Sequence, residues 1–153
     1  MAKANILKEL MQTPLPSISV QKRKPYRPTK REAKLIYKIL NKHCFDNQLT
    51  RPKLILKSRL RKYWGQCVGY YTETKPGTKC EIELSDKWFC LQWFITTLAH
   101  EMCHQYEHDI LQRPMTHRKN FFIHREQLAK YGIDLKTAHG QRRWFKYQNF
   151  NKC

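Results

Sequence analysis

From Thr29 onward the apolar residues fall on one face of a helix. Ala33, Ile36, Ile39 and Leu40 recur at helical spacing, and Thr29 followed by Glu32 is a capping pair, so the helix should run to about Cys44. Past Arg51 the period shortens. Leu54-Ile55-Leu56 is a short apolar run after Pro52, and Cys67-Val68-Gly69-Tyr70-Tyr71 is rich in strand formers. Lys75-Pro76-Gly77-Thr78 reads as a turn, with Cys80-Glu81-Ile82-Glu83-Leu84 alternating beyond it. A small antiparallel or mixed sheet of about three strands is predicted.

Residues 87–109 then read as one long helix. Leu91, Ile95, Leu98 and Met102 form one stripe, while Trp88, Phe89, Trp93 and Phe94 put apolar surface elsewhere, so this helix belongs in the middle of its domain. Leu111 to Thr116 is a loop holding Pro114, and a further helix is predicted from about His117 to Tyr131, stopping at Gly132. Pro14, Pro16, Pro25 and Pro28, with basic Lys22, Arg23 and Lys24, mark residues 1–28 as a flexible arm. The reading is an α+β protein with one folded domain over 29–138 and a basic, aromatic tail over 139–153.

Composition adds a partner. At 153 residues there is enough chain for one core, and the formal charge of +18 opposes folding by self-repulsion. Such an excess points to a polyanion, nucleic acid before a membrane surface, with solubility alone as the plain alternative. The six cysteines form no C-x-x-C pair, which argues against a zinc ribbon or a thioredoxin-like site. The opening residues MAKANILKELMQTPLP lack the apolar stretch of a secretion signal, and no segment is long enough to span a membrane. The expected setting is intracellular and reducing, with the thiols acting as core filler.

The chemistry concentrates in His100-Glu101-Met102-Cys103-His104. Residues four apart on a helix stand about 6 Å apart along its axis, so His100 and His104 can each give a ring nitrogen to one zinc ion. Glu101 falls next to His100 around the helix, close enough to act as the base for a water on the metal without ligating it. The plain alternative, two surface histidines beside a helical Glu, fits poorly with the apolar residues that precede them. A catalytic zinc takes a third protein ligand. His108 lies about 12 Å along the axis from His100 and cannot reach while the helix stays regular. His117, after the proline-bearing loop, can fold back. His124 two turns on is the runner-up or a supporting residue, and Glu126 would serve in a two-His-one-Glu site. The metzincin pattern is excluded, because Glu107 and Ile110 stand where it needs Gly and His. Cys103 points to the core side and reads as packing.

These residues resemble the SprT-like, or Spartan-related, family of zinc metalloproteases. The likeness covers roughly residues 30–135 and rests on Asn41-Lys42-His43-Cys44-Phe45 before Leu49, the basic segment Lys57 to Lys62, Glu81-Ile82-Glu83-Leu84-Ser85, Thr97 to His104, and a later His with Phe four residues on. It implies a zincin-like domain in which one zinc ion is held by His100, His104 and the later His, with Glu101 as the catalytic acid/base. His117 is followed by Arg118 and Lys119 where the family usually has Gly and often Pro, while Phe121 keeps its place. Many relatives carry a C-terminal zinc ribbon, for which this chain has no cysteine pairs. The resemblance also implies a protease that binds DNA and cuts proteins attached to it.

Three basic groups fit that partner: Lys22 to Arg31, Arg51 to Lys62 and Arg142 to Lys152. Lys57, Arg59, Arg61 and Lys62 form one short cluster suited to phosphates. Arg142 and Arg143 are interleaved with Trp144, Phe145, Tyr147 and Phe150, a composition that suits single-stranded or irregular DNA and equally suits an ordinary packed strand or helix. Trp64 either stacks on a base or anchors the sheet to the core. The leading expectation is a monomeric, DNA-associated zinc endopeptidase acting on a protein substrate, away from membranes. The alternatives are a nucleic-acid-binding accessory protein with a structural or vestigial zinc site, and a peptidase whose basic surface recognises an acidic protein. Tyr106 and His124 are both available to stabilise an oxyanion, and spacing selects neither.

Overall fold

The computed structural model describes residues 6–12, 24–58, 64–69 and 80–137. The described elements are α1 (Ile6–Gln12), α2 (Lys30–Cys44), β1 (Lys53–Lys57), β2 (Gly65–Val68), β3 (Glu81–Ser85), α3 (Leu91–Gln105) and α4 (Arg125–Ala129), with a π-helical turn, Tyr106–Ile110, continuing α3. The architecture is α+β around a small three-stranded sheet.

The sheet is mixed, in the order β1-β3-β2, with β1 parallel and β2 antiparallel to the central β3. Ile82 pairs with Leu54 on one side and Cys67 on the other, and Leu84 pairs with Leu56 and Gly65. Ile82 and Leu84 share a face of β3 and are fully buried. Glu83 lies on the opposite face, where Lys57 Nζ donates to it at 2.5 Å and Gln66 donates a second hydrogen bond. These two donors hold the Glu83 carboxyl below the usual carboxylate range. α2 packs on β1, and α3 on β2.

The cap predicted for α2 is present: Thr29 Oγ1 accepts from Glu32 N–H at 3.1 Å. α3 is central, as its apolar surround predicts, with Leu98, Ala99 and Met102 fully buried. It is shorter than the predicted helix, however. Cys90 caps it by accepting from Trp93 N–H, so Trp88 and Phe89 precede it. Trp88 instead exchanges two 2.9 Å backbone hydrogen bonds with Tyr26. Trp64 lies 5.3 Å from Trp88 and 5.6 Å from Phe89, ring centre to ring centre, and so anchors the sheet to the core.

Two further differences have physical causes. Within residues 1–28, expected to be a flexible arm, Ile6–Gln12 is helical because Leu7 is fully buried and Leu10 C=O accepts from Gln92 Nε2 at 3.1 Å. Its docking supplies what so short a helix lacks by itself. The helix predicted from His117 to Tyr131 is confined to Arg125–Ala129. Ahead of it, Phe121 N–H and Phe122 N–H bond three residues back, to Arg118 and Lys119, in tight turns rather than α-helix. Gly132 does end the segment, at φ +81°, with Ile133 N–H reaching Leu128 C=O and Gly132 N–H reaching Ala129 C=O. No helix among the described residues is long and apolar enough to cross a membrane.

Candidate metal centre

The last two turns of α3 carry His100, Glu101 and His104, each less than a tenth exposed. The chain then passes through the π-helical turn and a loop in which Gln112 takes φ +51°. That loop brings His117 back over α3. His117 Nε2 lies 3.1 Å from His104 Nε2 and 3.2 Å from His100 Nε2. The buried ring of Phe121, four residues on, sits 4.7 Å from His100, 4.7 Å from His104 and 4.9 Å from His117, and so forms an apolar wall against all three.

What holds the loop is Glu107, only 1% exposed. Its carboxylate accepts from His104 Nδ1 at 3.1 Å, from Thr116 N–H at 3.1 and 3.2 Å, and from Thr116 Oγ1 at 3.1 Å. One side chain therefore orients a histidine on α3 and fixes the residue just before His117. Burial raises the Glu107 carboxyl and the Thr116 donors oppose it. Its role escapes a motif search, although its position three residues after His104 places it on the same helix face.

Burial lowers the His104 imidazole to about 4, with His117 adding to the effect, and burial also lowers His117. The His104 ring is therefore neutral at neutral pH. With Nδ1–H of His104 given to Glu107, its Nε2 presents a bare lone pair to the cluster. Nitrogens bound to one tetrahedral zinc at about 2.0–2.1 Å would stand roughly 3.3 Å apart. The observed 3.1 and 3.2 Å match that spacing, and three converging lone-pair donors repel one another unless a cation or proton lies among them. The donor set therefore fits a metal ion, and these residues could hold one.

Glu101 is buried beside them, and Cys67 backbone N–H donates to its carboxylate. Burial raises its carboxyl to about 8, and the Cys67 hydrogen bond limits the rise. Gly65 lets β2 approach this closely: a Cβ there would stand 3.3 Å from Glu101 Cγ, 3.1 Å from Thr97 Cγ2 and 3.0 Å from Leu84 Cδ2. The histidines and Glu101 open onto a cleft of about 420 Å³, walled by Gly65 to Cys67 on one side and Met115 to His117 on the other.

The remaining expected site residues are distributed differently. His124 is half-buried against Phe45 at 4.5 Å and Tyr106 at 4.4 Å, so the runner-up ligand is a packing residue. Neither it nor Tyr106 is among the described residues that line the cleft. Glu126 is exposed on α4, outside the histidine group. Cys103 is buried in the core, where desolvation pushes its thiol well up, in keeping with a packing role. Lys57, expected to meet phosphates, is engaged by Glu83, an ion pair that a phosphate would have to displace. Arg59, Arg61, Lys62, Arg142 and Arg143 lie outside the described residues.

Fold and site together define an α+β domain whose central helix and returning loop assemble a three-histidine group able to hold a metal ion. The sequence model of the SprT-like family matches residues 33–139, well over half of the chain, and the protein belongs to that family. A comparison with curated proteins finds no match.

Proposed function

We propose that the protein is a zinc-dependent endopeptidase of SprT-like, zincin-like type, associated with DNA and acting on DNA-bound proteins. The observation that carries this reading is the convergence of the His100, His104 and His117 Nε2 atoms, with His117 3.1 Å from His104 and 3.2 Å from His100, beside buried Glu101 in an open cleft.

In the proposed site His100, His104 and His117 hold the ion. Zinc bound there would lower the pKa of a coordinated water to about 7 and polarise a peptide carbonyl. Glu101 moves the protons: its carboxylate, aimed by Cys67 N–H, accepts one from water during attack and returns it to the departing amine. Burial raises the Glu101 carboxyl in the metal-free protein, and a cation held by the three histidines would favour its ionised form, the form that accepts a proton. The buried Phe121 ring excludes water from its side of the histidines, and the cleft gives an approach to the ion. The formal charge of +18 supports DNA as the partner that brings protein substrates to this cleft.

The test compares wild type with Glu101→Gln for bound zinc and for digestion of a DNA-binding protein, with and without single- or double-stranded DNA. The expected result is zinc in both proteins and cleavage in wild type alone, stimulated by DNA. Zinc without Glu101-dependent cleavage under any of these conditions would favour an accessory, nucleic-acid-binding protein. A wild type that binds no zinc would end the metalloenzyme reading.

A further inference from the structure

On a regular helix His108 would follow His104 by one turn along the same face. The π-helical turn Tyr106–Ile110 changes that register, and His108, 1% exposed, joins a different group from the cleft histidines. His108 Nδ1 meets Asp109 Oδ1 at 2.6 Å. Asp109 Oδ2 accepts from Gln105 Nε2 at 3.0 Å and from Cys80 Sγ at 3.9 Å, Cys80 standing just ahead of β3 and itself 1% exposed. One donor atom each from Cys80, His108 and Asp109 falls within 4.8 Å of the others. The thiol of Cys67 on β2 hydrogen-bonds to Cys80, adding a fourth soft or borderline donor at the edge of the group.

One observation indicates that this group is built for a ligand, and a second shows that its histidine ring is held in place by close packing. Asp109 takes the Nδ1 side of His108, and Nε2, fully buried, has no hydrogen-bond partner among the described residues. The surrounding hydrogen bonds satisfy Gln105, through Tyr37 Oη at 2.8 Å and Thr50 C=O at 2.8 Å, yet leave that nitrogen bare. Space is also reserved for the ring. A Cβ on Gly69 would stand 2.7 Å from both His108 Cδ2 and Nε2, so only glycine lets the imidazole lie there.

We propose that Cys80, His108 and Asp109, with Cys67 beside them, form a second metal site that takes a divalent ion of borderline softness, Zn2+ by its donor set. Sulfur and oxygen ligands of one tetrahedral zinc stand roughly 3.5 Å apart, close to the 3.9 Å between Cys80 Sγ and Asp109 Oδ2. The 2.6 Å His108–Asp109 contact is shorter than two ligands of one ion allow. Asp109 therefore opens away on binding or stays as the carboxylate that orients His108. Cys80 and His108 are almost fully buried, so an ion here is structural: it ties the start of β3 to the end of the α3 register change. Metal binding requires the ligating thiol as its thiolate, and so releases a proton.

The test uses the full chain. Wild type purified in zinc is expected to hold two ions per chain, and Cys80→Ser and His104→Ala one each. The Co2+-loaded wild type is expected to show sulfur-to-cobalt charge-transfer absorption, which His104→Ala keeps and Cys80→Ser loses. The three cleft histidines contain no sulfur, and loss of the absorption in Cys80→Ser but not in His104→Ala assigns it to the second site. If Cys80→Ser does not fold, Asp109→Asn replaces it and is expected to weaken metal binding by 10- to 100-fold. Absence of the absorption in folded, cobalt-loaded wild type overturns the proposal, as does an unchanged metal ratio in the Cys80 variant.

Discussion

Replacing Glu107 by Gln tests whether the returning loop and the histidine group are one unit. Both carboxylate oxygens of Glu107 act as acceptors, Oε1 for His104 Nδ1 and Thr116 N–H, Oε2 for Thr116 N–H and Oγ1. A glutamine keeps the shape but exchanges one acceptor for an NH2 group, so whichever way the amide turns, two donors face each other at a site 1% exposed. Leaving a buried donor unsatisfied costs about 1–3 kcal/mol, and the metal-free protein should lose stability by that amount. The second effect is on the metal. Loss of a partner that orients a ligating imidazole typically weakens binding 10- to 100-fold, about 1.4–2.7 kcal/mol. Chelator competition with zinc, on a Cys80→Ser background so that only the histidine group is read, measures the affinity. Urea unfolding of the metal-free protein measures the stability. A folded variant whose zinc affinity stays within about twofold of its parent would show that His104 and His117 do not depend on Glu107 for their placement.

Three further outcomes follow from the same geometry. In metal-free protein between pH 7.5 and 8.5, the histidines that burial lowers are largely neutral in both folded and unfolded chains, whereas Glu101, raised from 4.5 to about 8, keeps part of its proton only when folded. The folded state binds more protons there, so stability should fall by up to roughly 1 kcal/mol on account of Glu101 as pH rises across that window; a rise instead would refute the burial of Glu101. Gly65→Ala places a Cβ 3.0 Å from Leu84 Cδ2 and 3.3 Å from Glu101 Cγ, and should lower peptide cleavage more than zinc affinity while costing about 1–3 kcal/mol of stability. Wild-type cleavage by that variant would show that Glu101 tolerates displacement. Leu7→Ala removes a fully buried side chain from α1 and should cost about 2–5 kcal/mol in thermal or urea unfolding, whereas a change below about 0.5 kcal/mol would mean that the helix contributes nothing to the fold.

What the chain disclosed in advance depended on how local the determining interactions were. α2 was legible because its cap and its apolar face are both written within Thr29–Cys44, and the His100–His104 pair because four residues on a helix fix two rings over one point. α1 was not, since seven residues among prolines become helical only when Leu7 finds its cavity, a contact made with distant parts of the chain. His117 to Tyr131 has a helical composition, but the turns at Phe121 and Phe122 are set by the need to pack one ring against three histidines. Glu107 could have been found, since a carboxylate three residues after a ligating histidine is well placed to hold its ring. His108 is the instructive residue. On a regular helix His108 falls out of reach of the histidine group, and it is indeed absent from that group, yet the helix is not regular. The π-helical turn makes the separation: Glu107 stays with the cleft, and His108 and Asp109 go to Cys80. Adjacent residues of one helical segment thus serve two polar clusters, and restoring α-helical register at Tyr106–Ile110 would disrupt both.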